Sequence, residues 1–175
     1  VKSTLVYFGT QDDASLTSFP GGFEAIVDNN GAEQDGVFTT AGFVSLEMNV
    51  NNTKVSTFSK PISITTEVPA ATINPETGNK IQTGEKIDVW SYDTETGEWK
   101  YETTATFGSQ LDNGNFEVTM TANHLSYWNL DWFTVNGTCP SRLPVTFNVP
   151  KLIGTEYIRF ELINKVTGRL YKRKK

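Results

Sequence analysis

A histidine and a serine lie two residues apart in the stretch from His124 to Trp132, which holds the only histidine of the chain. A serine hydroxyl can attack the carbonyl carbon of the residue before it, and water then cleaves the resulting ester. A neighbouring imidazole can accept the hydroxyl proton. The triplet His124-Leu125-Ser126 therefore has the residue types for cleavage of its own backbone.

Regular strand geometry works against this chemistry. Residues two apart in a strand are separated by roughly 6.6 Å, whereas proton transfer requires about 2.6–3.2 Å between heavy atoms. Cleavage would need a kink at Leu125 that strains the peptide and turns His124 towards Ser126. The alternative is that this stretch is a core strand whose first turn is polar.

The same stretch is typical of a strand with one strongly aromatic face. Alternate residues share a face of a strand, so Trp128 and Trp132 would lie on the same side as His124 and Ser126. The other two tryptophans lie on the two strand-like segments that come before it. We predict a structural core built around Trp90, Trp99, Trp128 and Trp132.

The chain as a whole lacks the apolar periodicity of helices, and short β-branched and aromatic runs alternate with Gly, Pro, Asn and Asp. This pattern predicts an all-β fold, an antiparallel β-sandwich built from hairpins. The predicted strands are Thr4–Phe8, Phe23–Asp28, Val37–Thr40, Gly42–Val50, Lys54–Phe58, Pro61–Val68, Lys86–Tyr92, Glu98–Phe107, Phe116–Ala122 and the stretch from His124. The parity of apolar residues changes between Phe43 and Leu46, which predicts a bulge near Ser45. Strict alternation in Glu98–Phe107 predicts one buried and one wet face, with the odd-numbered residues inward.

Three turns share one pattern, with Asn or Asp first, Thr fourth and Gly fifth: Asn74–Gly78, Asp93–Gly97 and Asn164–Gly168. The first side chain can accept hydrogen bonds from amides of its own turn, and glycine adopts the left-handed conformation. The pattern predicts hairpin loops built on a type I turn.

Residues 1–137 form the predicted sandwich domain, and residues 138–175 a linker with an additional β-hairpin. A segment with the composition of a linker, Asn136–Arg142, separates them. The strand predicted at 143–149 and the hairpin at 156–171 either close the same sandwich or begin a second β-domain.

Charge and composition exclude several classes of function. Five of the 15 basic side chains lie in residues 169–175, so the rest of the chain holds ten basic against 20 acidic side chains. Such an acidic body argues against nucleic acid as a partner. No run approaches the roughly 18 apolar residues of a transmembrane helix. The body, rich in Asn, Thr and Gly and poor in Lys, favours the cell envelope or the extracellular space.

Neither a metal site nor a cofactor is predicted. The single Cys139 and single histidine provide no His/Cys cluster, and the chain has no Gly-rich phosphate loop. The acidic loop that begins at Asp93 resembles the start of a calcium loop, but its twelfth position is Thr104, where a bidentate acid is required. A plain hairpin turn is the better interpretation of this loop.

The run from Ile87 to Asp131 resembles the end of domains of the zona-occludens and uncoordinated-five type. It carries Ile-Asp-Val-Trp-Ser-Tyr-Asp, then Gly-Glu-Trp, and ends in His-Leu-Ser-Tyr-Trp-Asn. Those domains are β-sandwich modules of ankyrins, netrin receptors and a death-domain adaptor, and bacterial envelope proteins with the same tryptophan-rich ending are more similar still. The adaptor cleaves itself at His-Phe-Ser, and adhesion receptors do so at His-Leu-Ser or His-Leu-Thr. The resemblance implies His124 as the base, Ser126 as the nucleophile and Leu125–Ser126 as the scissile bond.

This sequence departs from both self-cleaving groups, with Leu in place of the adaptor's Phe and without the cysteines that precede the triplet in adhesion receptors. Three hypotheses follow. The first is a non-catalytic structural or adhesion module of a larger surface protein, whose partners are other domains of the same chain and surface glycans or proteins. The second is a self-processing domain, and the third is a carbohydrate-binding module that uses exposed aromatic side chains.

Overall fold

The computed structural model describes residues 2–11, 13–55, 57–136, 162–163 and 170–171. The chain divides into two compact units, residues 1–136 and residues 137–175. In the second unit, Leu162–Ile163 (β10) pairs antiparallel with Leu170–Tyr171 (β11). The third predicted turn, at residues 164–168, and the strand predicted at 143–149 lie outside the described residues.

Apart from one short helix, the regular elements described in the first unit are all β-strands, which confirms the all-β prediction. Its elements are β1 (Lys2–Phe8), α1 (Asp13–Thr17), β2 (Glu24–Asn29), β3 (Ala32–Val50), β4 (Thr53–Lys54), β5 (Thr57–Val68), β6 (Lys86–Tyr92), β7 (Trp99–Gln110), β8 (Phe116–His124) and β9 (Tyr127–Val135). The β-branched and aromatic runs form the strands because their side chains pack well on a pleated surface. Within the described residues, no helix is long and apolar enough to span a membrane.

Two of the predicted turns use their first side chain as expected. The Asp93 carboxylate accepts hydrogen bonds from the amides of Glu95 at 2.8 Å and Thr96 at 3.3 Å, and Asn74 accepts one from the Glu76 amide at 2.9 Å. The fifth residue of each turn is a glycine with positive φ. The two bonds of Asp93 fix the tight reversal between β6 and β7, and the bond of Asn74 fixes the turn at residues 74–78.

The strands form one sheet in the order β1-β3-β9-β6-β7-β8-β5. All pairings along this path are antiparallel, but β2 pairs antiparallel with β3 and parallel with β7. Strand β2 therefore closes a ring of five strands, β3-β9-β6-β7-β2. Because pairing runs continuously from β1 to β5, the separation into the two sheets of a sandwich stays a prediction.

Two groups of buried side chains lie on opposite faces of the central strands. The large core contains Ala41, Val44, Leu46, Ile64, Val68, Ile81, Ile87, Val89, Ala105, Phe107, Phe116, Val118, Met120, Ala122, Trp128, Leu130 and Trp132. The aromatic core contains Phe19, Val27, Phe38, Phe43, Trp90 and Trp99. Residues of β5 and β8 pack with residues of β3 and β9 in the large core, so the sheet curls until its distant parts face one another.

Strands β3, β6 and β9 are buried on both faces, which explains one wrong prediction. Phe43 belongs to the aromatic core, whereas Val44 and Leu46 belong to the large core. The parity change between Phe43 and Leu46 therefore reflects two buried faces and not a bulge near Ser45. The bulge of β3 lies between Thr40 and Gly42, at Ala41.

A bulge at Glu102 moves β7 from one core to the other. Tyr101 pairs with Trp90, and Thr103 pairs with Val89, so Glu102 is the extra residue. An extra residue reverses which face later side chains occupy. Before the bulge Trp99 enters the aromatic core, and after it Ala105 and Phe107 enter the large core, while Thr103 is exposed. The single buried face predicted for Glu98–Phe107 is therefore wrong.

Candidate functional site

The chain bends at Leu125–Ser126, so the continuous strand predicted from His124 to Trp132 is wrong. Strand β8 ends at His124, and β9 begins at Tyr127. His124 pairs with Thr57 on one side, and Tyr127 pairs with Ser45 on the other. The bend arises because β8 pairs with β5 whereas β9 enters the central sheet between β3 and β6.

The bend is held by two hydrogen bonds of Ser126. Its carbonyl oxygen accepts a hydrogen bond from the Leu46 amide at 3.1 Å. Its hydroxyl donates to the carbonyl oxygen of Tyr92, the last residue of β6. A hydroxyl that donates its proton to a backbone carbonyl ties the start of β9 to the end of β6. Leu125, between the two site residues, is half-buried against the large core.

His124 is oriented by a carboxylate and an indole ring. Its Nε2 lies 3.5 Å from Oε1 of Glu102, and its ring centroid lies 4.9 Å from that of Trp128. Oε1 of Glu102 also accepts a 2.8 Å hydrogen bond from the Ser91 hydroxyl. The histidine side chain is 33% exposed and the glutamate 16%, so solvent reaches the imidazole more than the acid. The bulge at Glu102 is what turns this carboxylate towards β8.

The arrangement brings an acid and a histidine together but directs the serine elsewhere. Within residues 2–136 as described, no hydrogen bond joins His124 to Ser126. Self-cleavage needs the Ser126 hydroxyl to leave Tyr92 and donate to the imidazole, while its oxygen approaches the carbonyl carbon of Leu125. The geometry present instead resembles that of capping side chains, which satisfy the polar groups at strand ends.

All four tryptophans lie in the interior. Trp90 and Trp99 are in the aromatic core, and Trp128 and Trp132 are in the large core, each at most 5% exposed. The sequence places them in neighbouring strands, but they line opposite faces of the sheet. Because a sugar-binding platform needs an exposed ring, none of the four indoles can provide one.

A buried polar network on β9 was missed by sequence reasoning. Asn129 and Asp131 are fully buried. The Asn129 amide nitrogen donates to Asp131 at 2.9 Å, and the Thr39 backbone amide donates to the same carboxylate at 2.6 Å. The Thr40 hydroxyl donates to the Asn129 side-chain oxygen at 2.7 Å. Because Asn129 and Asp131 alternate with Trp128 and Trp132, the sequence predicts that the two polar residues share the face opposite the tryptophans. Nothing in the sequence indicates that this second face is also buried.

A second carboxylate lies across from this network, because Asp88 on β6 pairs directly with Asp131 on β9. Burial raises the pKa of Asp88, and the hydrogen bond from the Thr104 hydroxyl at 3.2 Å opposes that shift.

Within the described residues, no group of three or more His, Cys, Asp or Glu side chains is arranged to hold a metal ion. The predicted turn at Asp93 uses its carboxylate for its own backbone, and the amides of Glu95 and Thr96 lower the pKa of that carboxyl.

Comparison with known proteins found no match to a family model, to a curated protein or to a solved structure.

Proposed function

We propose that this chain is a non-catalytic structural or adhesion module of a larger surface protein, located in the cell envelope or outside the cell. The observation that carries the proposal is the hydrogen bond from the Ser126 hydroxyl to the Tyr92 carbonyl. With His124 held by Glu102 as well, both reactive side chains of the triplet serve to join strands. The Asn-, Thr- and Gly-rich, Lys-poor composition supports the surface location. Its natural partners are the neighbouring domains of the parent chain, and proteins or glycans at the surface.

A second candidate is self-cleavage between Leu125 and Ser126. Two observations favour it: the backbone bends at the bond in question, and a carboxylate orients the preceding histidine. A rotation of the Ser126 hydroxyl away from Tyr92 would be needed to bring it to the imidazole. The two fragments would stay together, because β8 and β9 are each paired with other strands.

Intact-mass measurement distinguishes the two candidates. Purified protein is incubated for several days at neutral pH and its mass compared with that of Ser126→Ala. A structural role predicts one uncut mass for both proteins. Self-cleavage predicts fragments of 125 and 50 residues from the 175-residue chain, absent from Ser126→Ala. Appearance of those fragments in the unaltered protein alone would overturn the structural proposal.

Stability provides the complementary test. If the Ser126 hydroxyl joins β9 to β6, Ser126→Ala should lower the free energy of unfolding by about 0.5–1.5 kcal/mol. Ser63→Ala, at an exposed position of β5, is the matched control and should change it by less than about 0.5 kcal/mol. If urea melts show equal losses for Ser126→Ala and Ser63→Ala, the Ser126–Tyr92 hydrogen bond does not stabilise the fold and no longer supports the structural proposal.

A further inference from the structure

Strands β7 and β8 form a hairpin at one end and separate at the other. They pair only at Phe107 with Val118 and at Gln110 with Phe116, next to the turn that joins them. On the side of Phe107 away from the turn, the earlier residues of β7 pair with β6, whereas the later residues of β8 pair with β5. The separation follows from the curl of the sheet, since β6 and β5 lie on opposite sides of the large core.

The separation leaves a groove between two incompletely paired backbones. Tyr101 and residues 103–106 of β7 pair with β6, and residues 119–122 of β8 pair with β5. Within the described residues, neither segment has a strand partner on its other side. The groove has a volume of about 290 Å³. Unpaired N–H and C=O groups along a strand are a template for pairing with another extended chain.

The lining of the groove has a distinct chemistry. Besides Glu102, it is lined by polar residues, by Pro61 and by two residues of the large core: Thr103, Thr104, Thr119, Thr121, Asn123, Pro61, Ala105 and Met120. Glu102 is the one charged residue of the lining, and the lining contains neither an aromatic ring nor a basic side chain. Asp88 adds a further acidic group behind Thr104, to which it is hydrogen-bonded.

We propose that this groove binds an extended peptide segment by strand addition, with a Lys or Arg side chain of the peptide placed against Glu102. Main-chain hydrogen bonds to an open strand give affinity in this mode of recognition, and the pockets for alternate side chains give specificity. The carboxylate of Glu102 selects a basic side chain by charge. A saccharide is disfavoured because the lining offers no ring on which a sugar could stack. The groove shares the Glu102 carboxylate with His124 and Ser91. It does not include the Ser126–Tyr92 bond, so it does not depend on the role proposed for that bond.

A displayed library of random peptides of about ten residues, the upper end of ordinary strand lengths, tests the proposal on the full chain. Thr121→Trp fills the groove, and Thr134→Trp places the same ring at an exposed position of β9 away from it. Peptides enriched on the unaltered protein should contain Lys or Arg and should bind Thr121→Trp about tenfold more weakly, which corresponds to 1.4 kcal/mol. Binding to Thr134→Trp should be unchanged, and circular dichroism confirms that both variants are folded.

Two further measurements separate strand addition from other binding. Synthetic copies of an enriched peptide with alternate backbone amides methylated should lose binding, because they cannot pair with an open strand. Glu102→Gln should abolish the preference for Lys over Gln in the peptide. Absence of enrichment, equal binding to Thr121→Trp and the unaltered protein, or full binding of the methylated peptide would each overturn the proposal.

Discussion

The Tyr7 hydroxyl donates a 3.0 Å hydrogen bond to the carbonyl oxygen of Glu67 and so joins β1 to β5. These two strands are at opposite ends of the sheet order, and the bond brings the two ends together. The ring of Tyr7 lies over Gly42, where an added Cβ would be 2.7 Å from the tyrosine oxygen. The absence of a side chain at Gly42, which has a φ of +140°, is therefore what lets the ring reach β5.

Tyr7→Phe should lower the free energy of unfolding by about 0.5–1 kcal/mol, the lower part of the range for a hydrogen bond, because Tyr7 is 41% exposed. Burial and the nearby Glu67 carboxylate raise the pKa of Tyr7 above 10.0. The folded state therefore favours the neutral phenol, and stability is lost as pH rises above that value. Absorbance titration of the unaltered protein should show a late-ionising tyrosine component that is missing in Tyr7→Phe. Identical titration curves for the two proteins would contradict this assignment.

The buried network on β9 should depend on the hydroxyl of Thr40. Thr40→Val keeps the shape but leaves the Gly42 amide, 3.0 Å from that hydroxyl, and Asn129 without this partner. The loss in unfolding free energy should be about 1–3 kcal/mol. Thr40→Ser keeps the hydroxyl and loses one methyl group, so it should cost about 0.8 kcal/mol. A larger loss for Ser than for Val in urea melts would show that packing, and not hydrogen bonding, dominates at this position.

Trp99→Ala should cost about 3–5 kcal/mol, because the ring is fully buried in the aromatic core. The indole N–H also donates to the Pro20 carbonyl at 3.2 Å. Trp99→Phe should therefore cost more than Trp90→Phe, since within the described residues the N–H of Trp90 has no hydrogen-bond partner. Denaturant melts of the three variants check both comparisons. A loss below about 1 kcal/mol for Trp99→Ala would contradict the placement of this ring in the core.

Asp88 should make stability fall as pH rises through the acidic range. Burial raises its pKa above the ordinary value of 3.8, so between that value and the raised one the folded state binds more protons than the unfolded state. The unfavourable contribution is then complete above the raised pKa. Asp88→Asn should remove it, so the stability of the variant relative to the unaltered protein should rise as the pH is raised above 3.8.

Glu33→Gln removes one carboxylate at an exposed position of β3 and is the matched control for charge. The difference in unfolding free energy between Asp88→Asn and the unaltered protein should grow with pH more than the difference for Glu33→Gln. The same pH dependence in both variants would mean that overall charge, and not burial of Asp88, is the cause.

Local chemistry was sufficient to predict most strands and turns. The loop at Asp93 was predicted correctly because an acid at its first position and a glycine at its fifth act within five residues of chain. The bulge of β3 was misplaced to Ser45, since a change of parity has two causes, an extra residue or burial of both faces. Only the neighbours of β3 distinguish them.

The sequence by itself determined the all-β character, the turn at Asp93 and the burial of the four tryptophans. These features depend on residue type and on residues close together in the chain. Tertiary structure decided which partner each polar side chain of the candidate site would take. His124 contacts Glu102 because a bulge turns that carboxylate towards β8, and Ser126 contacts Tyr92 because β9 enters the sheet beside β6. Both outcomes depend on contacts between residues more than 20 positions apart, which alternation and spacing do not encode.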